Sequence, residues 1–392
     1  MSDERSMWVV SIKSAILVFL LLIFCSLNLA YSAPRKYKSA ILMEAETGKI
    51  LFARSMHRKL YPASMVKMML ALVVMEKVKQ GEISLSDKIK VSRNASMIGG
   101  SQVYLKEGEV FTLRDMMKAV MIKSACDGAV AVSEHVSGST KQFLVLMNER
   151  ASELKMNDTV FKTTNGLPKA QNGHSGDLSS AYDMAILARE LVKYPTILKW
   201  TNTKTDTFRN GKFILTNTNK LLKTFPELDG LKTGYYRRAG WNFTATAKKN
   251  DMRLISVVMS CPTKKLRFDK TKEILDMGFR NYTKLCIVKK KDVVFKNIPI
   301  IMGNKSYIKG VCNKDMTLVI KKSDEKKIVK QEILFNKIQA PVEKGQRIGC
   351  MLIKLNKKTI AKLSIVAAEK VNQISRLRWF VRRFVLRCNM GD

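Results

Sequence analysis

Ser64 and Lys67 stand three residues apart where an apolar run begins, and this pair of residue types could perform nucleophilic chemistry. The run over 65–78 predicts a buried helix that ends at Gly81, and residues three apart share one face of a helix. A desolvated lysine amine beside a serine hydroxyl can lose its proton and act as a base, which makes the serine a nucleophile. A lone Ser-x-x-Lys is more often a capping serine with a lysine that reaches solvent, so the interpretation depends on the rest of the chain.

Two further motifs contain residue types that could complete such a site. Ser124-x-Cys126 lies between two predicted helices, and Lys232-Thr233-Gly234 precedes a predicted strand. Each motif by itself is weak evidence for such a site, whereas the occurrence of all three in this order is much more specific evidence.

The elements that must position these residues are a mixture of helices and hairpins. The pattern predicts helices at 113–122, from 129 onward, at 143–154 and at 179–192, hairpins at 38–54 and 205–217, and strands at 242–247 and 253–259. Beyond residue 282 it changes to short strands between lysine-rich turns, which predicts a small all-β domain. The predicted fold class is therefore α+β: an antiparallel sheet flanked by helices, a helical subdomain around Ser124, and a β-sandwich-like domain.

Both ends of the chain have the pattern of targeting segments. Residues 1–33 combine Lys13, an apolar run and small residues, which predicts a secretory signal peptide, with a retained membrane anchor as the alternative. Residues 369–392 have an amphipathic period with arginines away from the apolar face, which predicts a membrane-anchor helix, with docking onto the protein itself as the alternative. The predicted boundaries are 1–33 (signal peptide), 34–282 (catalytic domain), 283–368 (β domain) and 369–392 (anchor helix).

The chain is strongly basic, with 70 lysines and arginines against 33 acidic residues and a formal net charge of +37. In a cytosolic protein this excess would suggest nucleic acid. Behind a signal peptide the expected partners are anionic lipid head groups or acidic wall polymers, and no nucleic acid. The alternative for much of the excess is a solvated lysine-rich surface without a partner. Of the seven cysteines, Cys25 lies in the signal segment, and the others have no metal-binding spacing. We expect mostly free thiols and no metal; a disulfide among Cys286, Cys312 and Cys350 stays open.

The three motifs match, in order, the Ser-x-x-Lys, Ser-x-Asn and Lys-Thr-Gly set of penicillin-binding proteins and class A β-lactamases. With their flanks, and with Ala340-Pro341-Val342 in the β domain, the sequence resembles low-molecular-weight penicillin-binding proteins of the D-alanyl-D-alanine carboxypeptidase family. The resemblance covers nearly the whole chain after residue 33. It implies a penicillin-binding/β-lactamase-like catalytic domain followed by a small all-β domain. Together with the two end segments, it leads us to expect an exported, periplasmic or extracytoplasmic protein, associated with the outer face of the cytoplasmic membrane and without a cofactor.

The resemblance also implies a serine-type D-Ala-D-Ala carboxypeptidase that trims peptidoglycan pentapeptide stems. Ser64 would attack the carbonyl between two D-alanines, Lys67 would take its proton, and Ser124 would relay a proton to the leaving amine. The backbone N–H groups of Ser64 and Tyr235 would form an oxyanion hole. β-Lactam antibiotics would be covalent inhibitors.

A second group of residues would bind the substrate. Lys232 and Thr233, next to Gly234, would hold the terminal carboxylate, and Arg267 matches a family arginine that assists there, with an ordinary surface charge as the alternative. Cys126 departs from the family pattern, which usually has Asn in this place. A thiol is a weaker donor and acceptor than an amide, so we expect weakened or altered activity.

Several alternatives share these residues. Cys126 could be a second nucleophile, a redox group or a small packing residue. On the same fold the chain could be a DD-endopeptidase or a weak β-lactamase. Outside the enzymes, the alternative is a catalytically inactive wall-binding protein, and the intact Ser64, Lys67 and Lys232 argue against it.

Overall fold

The computed structural model describes residues 37–168, 176–335 and 337–381. Its strands are β1 (Ser39–Glu44), β2 (Ile50–Arg54), β3 (Lys88–Lys90), β4 (Val110–Thr112), β5 (Thr205–Phe208), β6 (Phe213–Thr216), β7 (Leu228–Tyr236), β8 (Gly240–Lys249), β9 (Met252–Cys261), β10 (Tyr282–Val288), β11 (Val293–Ile301), β12 (Tyr307–Cys312), β13 (Met316–Lys321), β14 (Ile328–Leu334), β15 (Ile338–Gln339), β16 (Arg347–Leu355) and β17 (Lys358–Ala367). Its helices are α1 (Lys67–Gln80), α2 (Arg93–Ser96), α3 (Leu113–Lys118), α4 (Cys126–Ser137), α5 (Thr140–Glu153), α6 (Ala181–Leu191), α7 (Pro195–Asn202), α8 (Lys264–Asn281) and α9 (376–381).

An antiparallel sheet of five strands, in the order β2-β1-β9-β8-β7, forms the centre of the N-terminal domain. Side chains alternate between the two faces of a sheet. Ile41 and Met43 therefore join one core, together with the apolar residues of α1, whereas Ala40 and Leu42 join the other core, together with residues of α8. Because helices cover both faces, every residue of β1 is buried.

Helix α1 lies in the interior, and its first nine residues, Lys67 to Met75, are all buried. A short 3-10 turn, Ala63–Val66, precedes it. Gly81 ends the helix with φ +79°, a left-handed conformation that glycine adopts without steric penalty. The predicted helix at 65–78 is confirmed, with its regular part beginning two residues later.

A second break in regular structure occurs where the helical subdomain meets the sheet. Helix α3 continues as one π turn, Ala119–Lys123, so the helix predicted at 113–122 consists of two pieces. Ser124 follows with φ +70°, and α4 begins at Cys126. The backbone N–H of Cys126 donates to the carbonyl of Ser101 at 2.7 Å, which fixes the start of α4 against the preceding loop.

The C-terminal domain is all-β. One sheet has the order β14-β16-β17-β12-β11-β15, and β10 pairs with β13 in a second, smaller sheet. Ile353, Leu363 and Ile365 belong to a core of its own between these strands. The predicted α+β class with a small all-β domain is confirmed.

Some elements of the fold were not predicted from the sequence. Lys232-Thr233-Gly234 precedes the predicted strand, which is β8, but the motif is itself part of a strand that was not predicted, β7, paired with β8. Helix α8 was not predicted, since its exposed face carries charged pairs such as Lys265–Asp269 that dilute the apolar period. Strand β12 was not predicted either.

Several predictions concern the ends of the chain and its thiols. The signal peptide predicted at 1–33 lies outside the described residues, and so does the predicted anchor helix beyond residue 381. Within the described residues, no helix is both long and apolar enough to span a membrane. The five cysteines in the described part are free thiols, so the alternative of a disulfide among Cys286, Cys312 and Cys350 is wrong.

Candidate active site

Ser64 lies in the 3-10 turn at the start of α1, and two glycines let other segments approach its backbone closely. Gly166 has φ +82°, and a Cβ there would lie 2.3 Å from the carbonyl oxygen of Ala63. A Cβ on Gly234 would lie 2.4 Å from the carbonyl oxygen of Pro62 and 3.2 Å from the backbone nitrogen of Ser64. No side chain fits in either place, so both positions require glycine.

Lys67 is completely buried, and its amine contacts three separate segments. Its Nζ donates to Ser64 Oγ at 3.1 Å, to the carbonyl oxygen of Asn165 at 2.6 Å and to Cys126 Sγ at 3.3 Å. A charged amine can donate to all three of these acceptors, whereas a neutral amine can donate to two of them and accept the proton of the Ser64 hydroxyl with its lone pair. The amine is therefore held against the serine hydroxyl, in position to exchange a proton with it.

A buried carboxylate orders the loop that supplies the Asn165 carbonyl. Asp177 accepts hydrogen bonds from the backbone N–H groups of Lys162 and Thr163 and from the Thr163 hydroxyl, at 2.7–2.8 Å. Burial raises the pKa of Asp177, and these hydrogen bonds partly oppose the rise. The Thr163 hydroxyl in turn accepts from the N–H of Gly166 at 2.8 Å, so the loop next to Ser64 is rigidly braced.

Ser124 is paired with a second buried lysine. Lys232 Nζ donates to Ser124 Oγ at 2.8 Å and to the carbonyl oxygen of Thr233 at 3.1 Å. The pKa of Lys232 lies well below its usual value of 10.5, because burial disfavours the charged amine and the nearby cations of Lys67 and Arg267 add repulsion. A Ser124 hydroxyl that bonds to such a lysine can pass protons in either direction.

Arg267 is a buried cation whose bonding capacity is only partly used. Its Nη1 donates to the carbonyl oxygen of Asn242 at 3.1 Å, and its guanidinium lies over the rings of Trp241 and Phe268. Its Nε has no hydrogen-bond partner in the protein. Burial lowers its pKa to about 10. Among the described residues it forms no ion pair, so an anion that enters the site would gain a charge partner there.

A cleft of about 330 Å³ opens over these residues. Of the residues predicted from the sequence, those that line it are Ser64, Ser124, Thr233, Gly234, Tyr235 and Arg267. The other three, Lys67, Lys232 and Cys126, are buried and contact each other or the lining residues. All nine predicted residues therefore come together, and their catalytic roles remain predictions.

Cys126 is sealed from solvent. Its side chain is buried beside Lys67, and a Cβ on Gly100 would lie 3.3 Å from its sulfur and 2.6 Å from Leu167 Cδ1. A thiol in so closed a position suits a packing and hydrogen-bonding role better than attack on an entering substrate.

Among the residues of the site that sequence reasoning missed, three make defined contacts with predicted ones. Asn165 acts through its carbonyl, Trp241 stacks on Tyr235 with ring centroids 3.7 Å apart, and Thr218 accepts a hydrogen bond from the Thr233 hydroxyl at 2.8 Å. The turn-forming run at 163–168 was a signal for the first, whereas nothing local indicated the others. In the described part of the chain, no group of three His, Cys, Asp or Glu residues could hold a metal ion.

Comparison with known proteins shows what the chain is similar to. A family described as D-alanyl-D-alanine carboxypeptidase matches residues 30–263, and one described as penicillin-binding protein 5, C-terminal domain, matches residues 282–373. The D-alanyl-D-alanine carboxypeptidase DacF of Bacillus subtilis is 38% identical over 359 residues, which cover 91% of this chain and 89% of that protein.

Solved structures give the same picture. Penicillin-binding protein 5 from Haemophilus influenzae aligns with a TM-score of 0.75 at 30% identity and covers 88% of this chain and 100% of that one. Penicillin-binding protein D2 from Listeria monocytogenes, in its ampicillin-bound form, aligns with a TM-score of 0.57 at 29% identity and covers 62% of this chain and 97% of that one.

The lowered pKa of Lys232 predicts a pH-dependent stability. Between that lowered pKa and 10.5 the unfolded chain binds more protons than the folded one, so the free energy of unfolding rises with pH in this window. We expect the stability of the wild type relative to Lys232→Met to increase with pH, by at most about 1.4 kcal/mol per pH unit. Urea denaturation from pH 6 to pH 10 measures this difference. The exposed Lys220→Met should show no such trend, and a Lys232→Met difference that is constant with pH would contradict the prediction.

Proposed function

The chain belongs to the D-alanyl-D-alanine carboxypeptidase family of serine peptidases, and we propose that it removes the terminal D-alanine from peptidoglycan pentapeptide stems through an acyl-enzyme on Ser64. The observation that carries the proposed mechanism is the 3.1 Å hydrogen bond between Lys67 Nζ and Ser64 Oγ inside a closed, buried network. A base within hydrogen-bond reach of a hydroxyl is the first geometric requirement for nucleophilic catalysis.

In the first half-reaction, Ser64 Oγ bonds to the carbonyl carbon between the two D-alanines as Lys67 takes the hydroxyl proton. The C–N bond then breaks, and Ser124, bonded to Lys232, delivers a proton to the leaving nitrogen. The backbone N–H groups of Ser64 and Tyr235 stabilise the oxyanion, worth roughly 3–4 kcal/mol for each donor. The close approach of Gly234 to the Ser64 nitrogen supports this assignment. Water releases the shortened peptide in the second half-reaction.

Recognition of the free carboxyl end depends on cations. Lys232, the Thr233 hydroxyl and Arg267 surround the part of the cleft where the terminal carboxylate would lie. A bound carboxylate would give Arg267 Nε a hydrogen-bond acceptor. Its negative charge would also offset the repulsion that the nearby cations exert on Lys232. A peptide with a blocked C-terminus would lose this stabilisation, which favours carboxypeptidase activity on free ends.

The decisive experiment is intact-mass spectrometry of the protein after incubation with benzylpenicillin. A relative with this fold binds ampicillin, and the Ser64–Lys67 pair here has the geometry for the same acylation. We expect a mass increase of one benzylpenicillin in the wild type and none in Ser64→Ala, together with D-alanine release from a D-Ala-D-Ala peptide by the wild type alone.

Other outcomes of this experiment would overturn the assignment. An adduct that persists in Ser64→Ala would place the nucleophile elsewhere. The absence of an adduct, of drug hydrolysis and of D-alanine release would favour the non-catalytic wall-binding alternative. Cleavage of cross-linked stems without D-alanine release would favour a DD-endopeptidase.

Cys126 gives a second prediction. An amide offers a full donor and acceptor where the thiol offers weak ones, so Cys126→Asn should raise kcat/KM for D-alanine release about tenfold, or about 1.4 kcal/mol. Steady-state kinetics on a D-Ala-D-Ala peptide measures the change. Cys126→Ala removes the thiol without adding an amide and should bring no gain. An Asn variant that still forms the penicillin adduct but is no faster would show that this site does not use the amide.

We further propose that the protein is exported and lies on the outer face of the cytoplasmic membrane through its C-terminal segment. Helix α9 exposes Leu377 and Phe380 by 75% and 66%, next to Arg376 and Arg378. Apolar side chains beside arginines are typical of helices that lie in the interface of an anionic bilayer. The chain's net charge of +37 favours the same surface.

Vesicle sedimentation tests the membrane proposal. Binding to vesicles with anionic phospholipid should weaken with added salt, and Leu377→Gln with Phe380→Gln should weaken it at least tenfold, because each side chain contributes about 1.5 kcal/mol or more when buried. Ile214→Gln, at another exposed apolar side chain, is the matched control. Binding that is indifferent to salt and to deletion of 371–392 would contradict the proposal.

A further inference from the structure

Three lysines line the active-site cleft without a role in the mechanism above. Lys123, Lys220 and Lys264 share the cleft of about 330 Å³ with Ser64 and Arg267, and no aspartate or glutamate lines it. None of the ion pairs between described residues includes any of the three. The cleft therefore carries more positive charge than a single carboxylate can neutralise.

Lys264 is held close to the group that would bind the substrate carboxylate. It begins α8, three residues before Arg267, so both lie on one face of that helix. The Thr263 hydroxyl caps the helix by accepting from the N–H of Leu266 at 3.1 Å, which fixes the backbone at Lys264. Arg267 is buried in the cleft wall, and Lys264 is exposed at its rim.

The other two lysines belong to segments that precede α8 in the chain and are linked to the same subsite through Thr218. Lys220 follows Thr218, whose hydroxyl accepts from the Thr233 hydroxyl at 2.8 Å. The N–H of Thr218 donates to the carbonyl of Ile122 at 3.2 Å, next to Lys123. Lys220 is thus two residues from Thr218, which is bonded to Thr233 of the carboxylate subsite, and Lys123 follows the residue whose carbonyl accepts from Thr218.

We propose that Lys220 and Lys264, with Lys123, form a second anion subsite that selects leaving residues with an additional carboxylate, such as a D-amino acid with an acidic side chain. This rests on the proposed function. D-Alanine presents one carboxylate, for which Lys232, Thr233 and Arg267 suffice. An acidic side chain on the leaving residue extends past that carboxylate towards the further cations.

The chemistry of the step is unchanged by this selection. Ser64 Oγ forms an ester bond with the penultimate D-alanine, the C–N bond to the acidic residue breaks, and the leaving nitrogen takes the proton. Because the lysines are near solvent, their attraction acts mainly at low ionic strength and is screened by salt.

Two synthetic peptides test the proposal, one ending in D-Ala-D-Glu and the other in D-Ala-D-Gln, which has the same shape without the charge. We expect kcat/KM for the D-Glu peptide to exceed that for the D-Gln peptide at least fivefold at low ionic strength, and the ratio to fall towards one in 0.5 M salt. In the double variant Lys220→Gln/Lys264→Gln the ratio should be close to one at both salt concentrations.

Lys265→Gln is the matched control, since Lys265 neighbours Lys264 but pairs with Asp269 at 2.7 Å and does not line the cleft. It should keep the wild-type ratio. A wild-type ratio of one or less, a ratio retained by the double variant, or hydrolysis of D-Ala-D-Ala peptides without hydrolysis of either test peptide would overturn the second subsite while the proposed function stands. Loss of all peptide hydrolysis and of the penicillin adduct in the wild type would overturn both.

Discussion

The burial of the Lys67 amine is the constraint on which the rest of the structure depends. A lysine amine without solvent is costly by several kcal/mol unless its hydrogens are all bonded. Its three partners come from the 3-10 turn, from the start of α4 and from the loop at Asn165. These segments are up to 98 positions away in the chain, so the amine is satisfied only when all of them have docked. The same docking places the amine against Ser64.

The site also concentrates basic side chains in its buried part. Lys67, Lys232 and Arg267 are buried within one small region. Burial lowers the pKa of Lys232 and of Arg267, and the charges of Lys67 and Arg267 lower the pKa of Lys232 further. Such an arrangement destabilises the empty site and stabilises it once an anion enters. The carboxylate that ends a stem peptide is such an anion, and β-lactam antibiotics carry one as well. The same buried cations therefore raise the affinity for an anionic ligand and lower the stability of the unliganded fold.

Cys126 shows how one substitution acts within this network. Its thiol keeps an acceptor near Lys67, and its backbone N–H still anchors α4 to Ser101. The position therefore holds the geometry of the Ser64–Lys67 pair, with a weaker donor and acceptor than an amide would supply. The effect of the substitution would fall on reaction rate and specificity more than on the fold.

The sequence by itself predicted the α+β class, the all-β C-terminal domain and the buried helix after Ser64, because these follow from local spacing and periodicity. The roles of Ser64 and Lys67 as nucleophile and base come instead from the order of the three motifs and the family resemblance, and they stay predictions. Ser64 and Lys67 are one helical turn apart, and the apolar run after them predicts the buried helix that the structure shows. Only the tertiary structure decided the Asn165 carbonyl contact, the position of Lys232 within β7 and the stacking of Trp241 on Tyr235. Those contacts join segments that are far apart in the chain, and neither local spacing nor periodicity indicates which distant segments will meet.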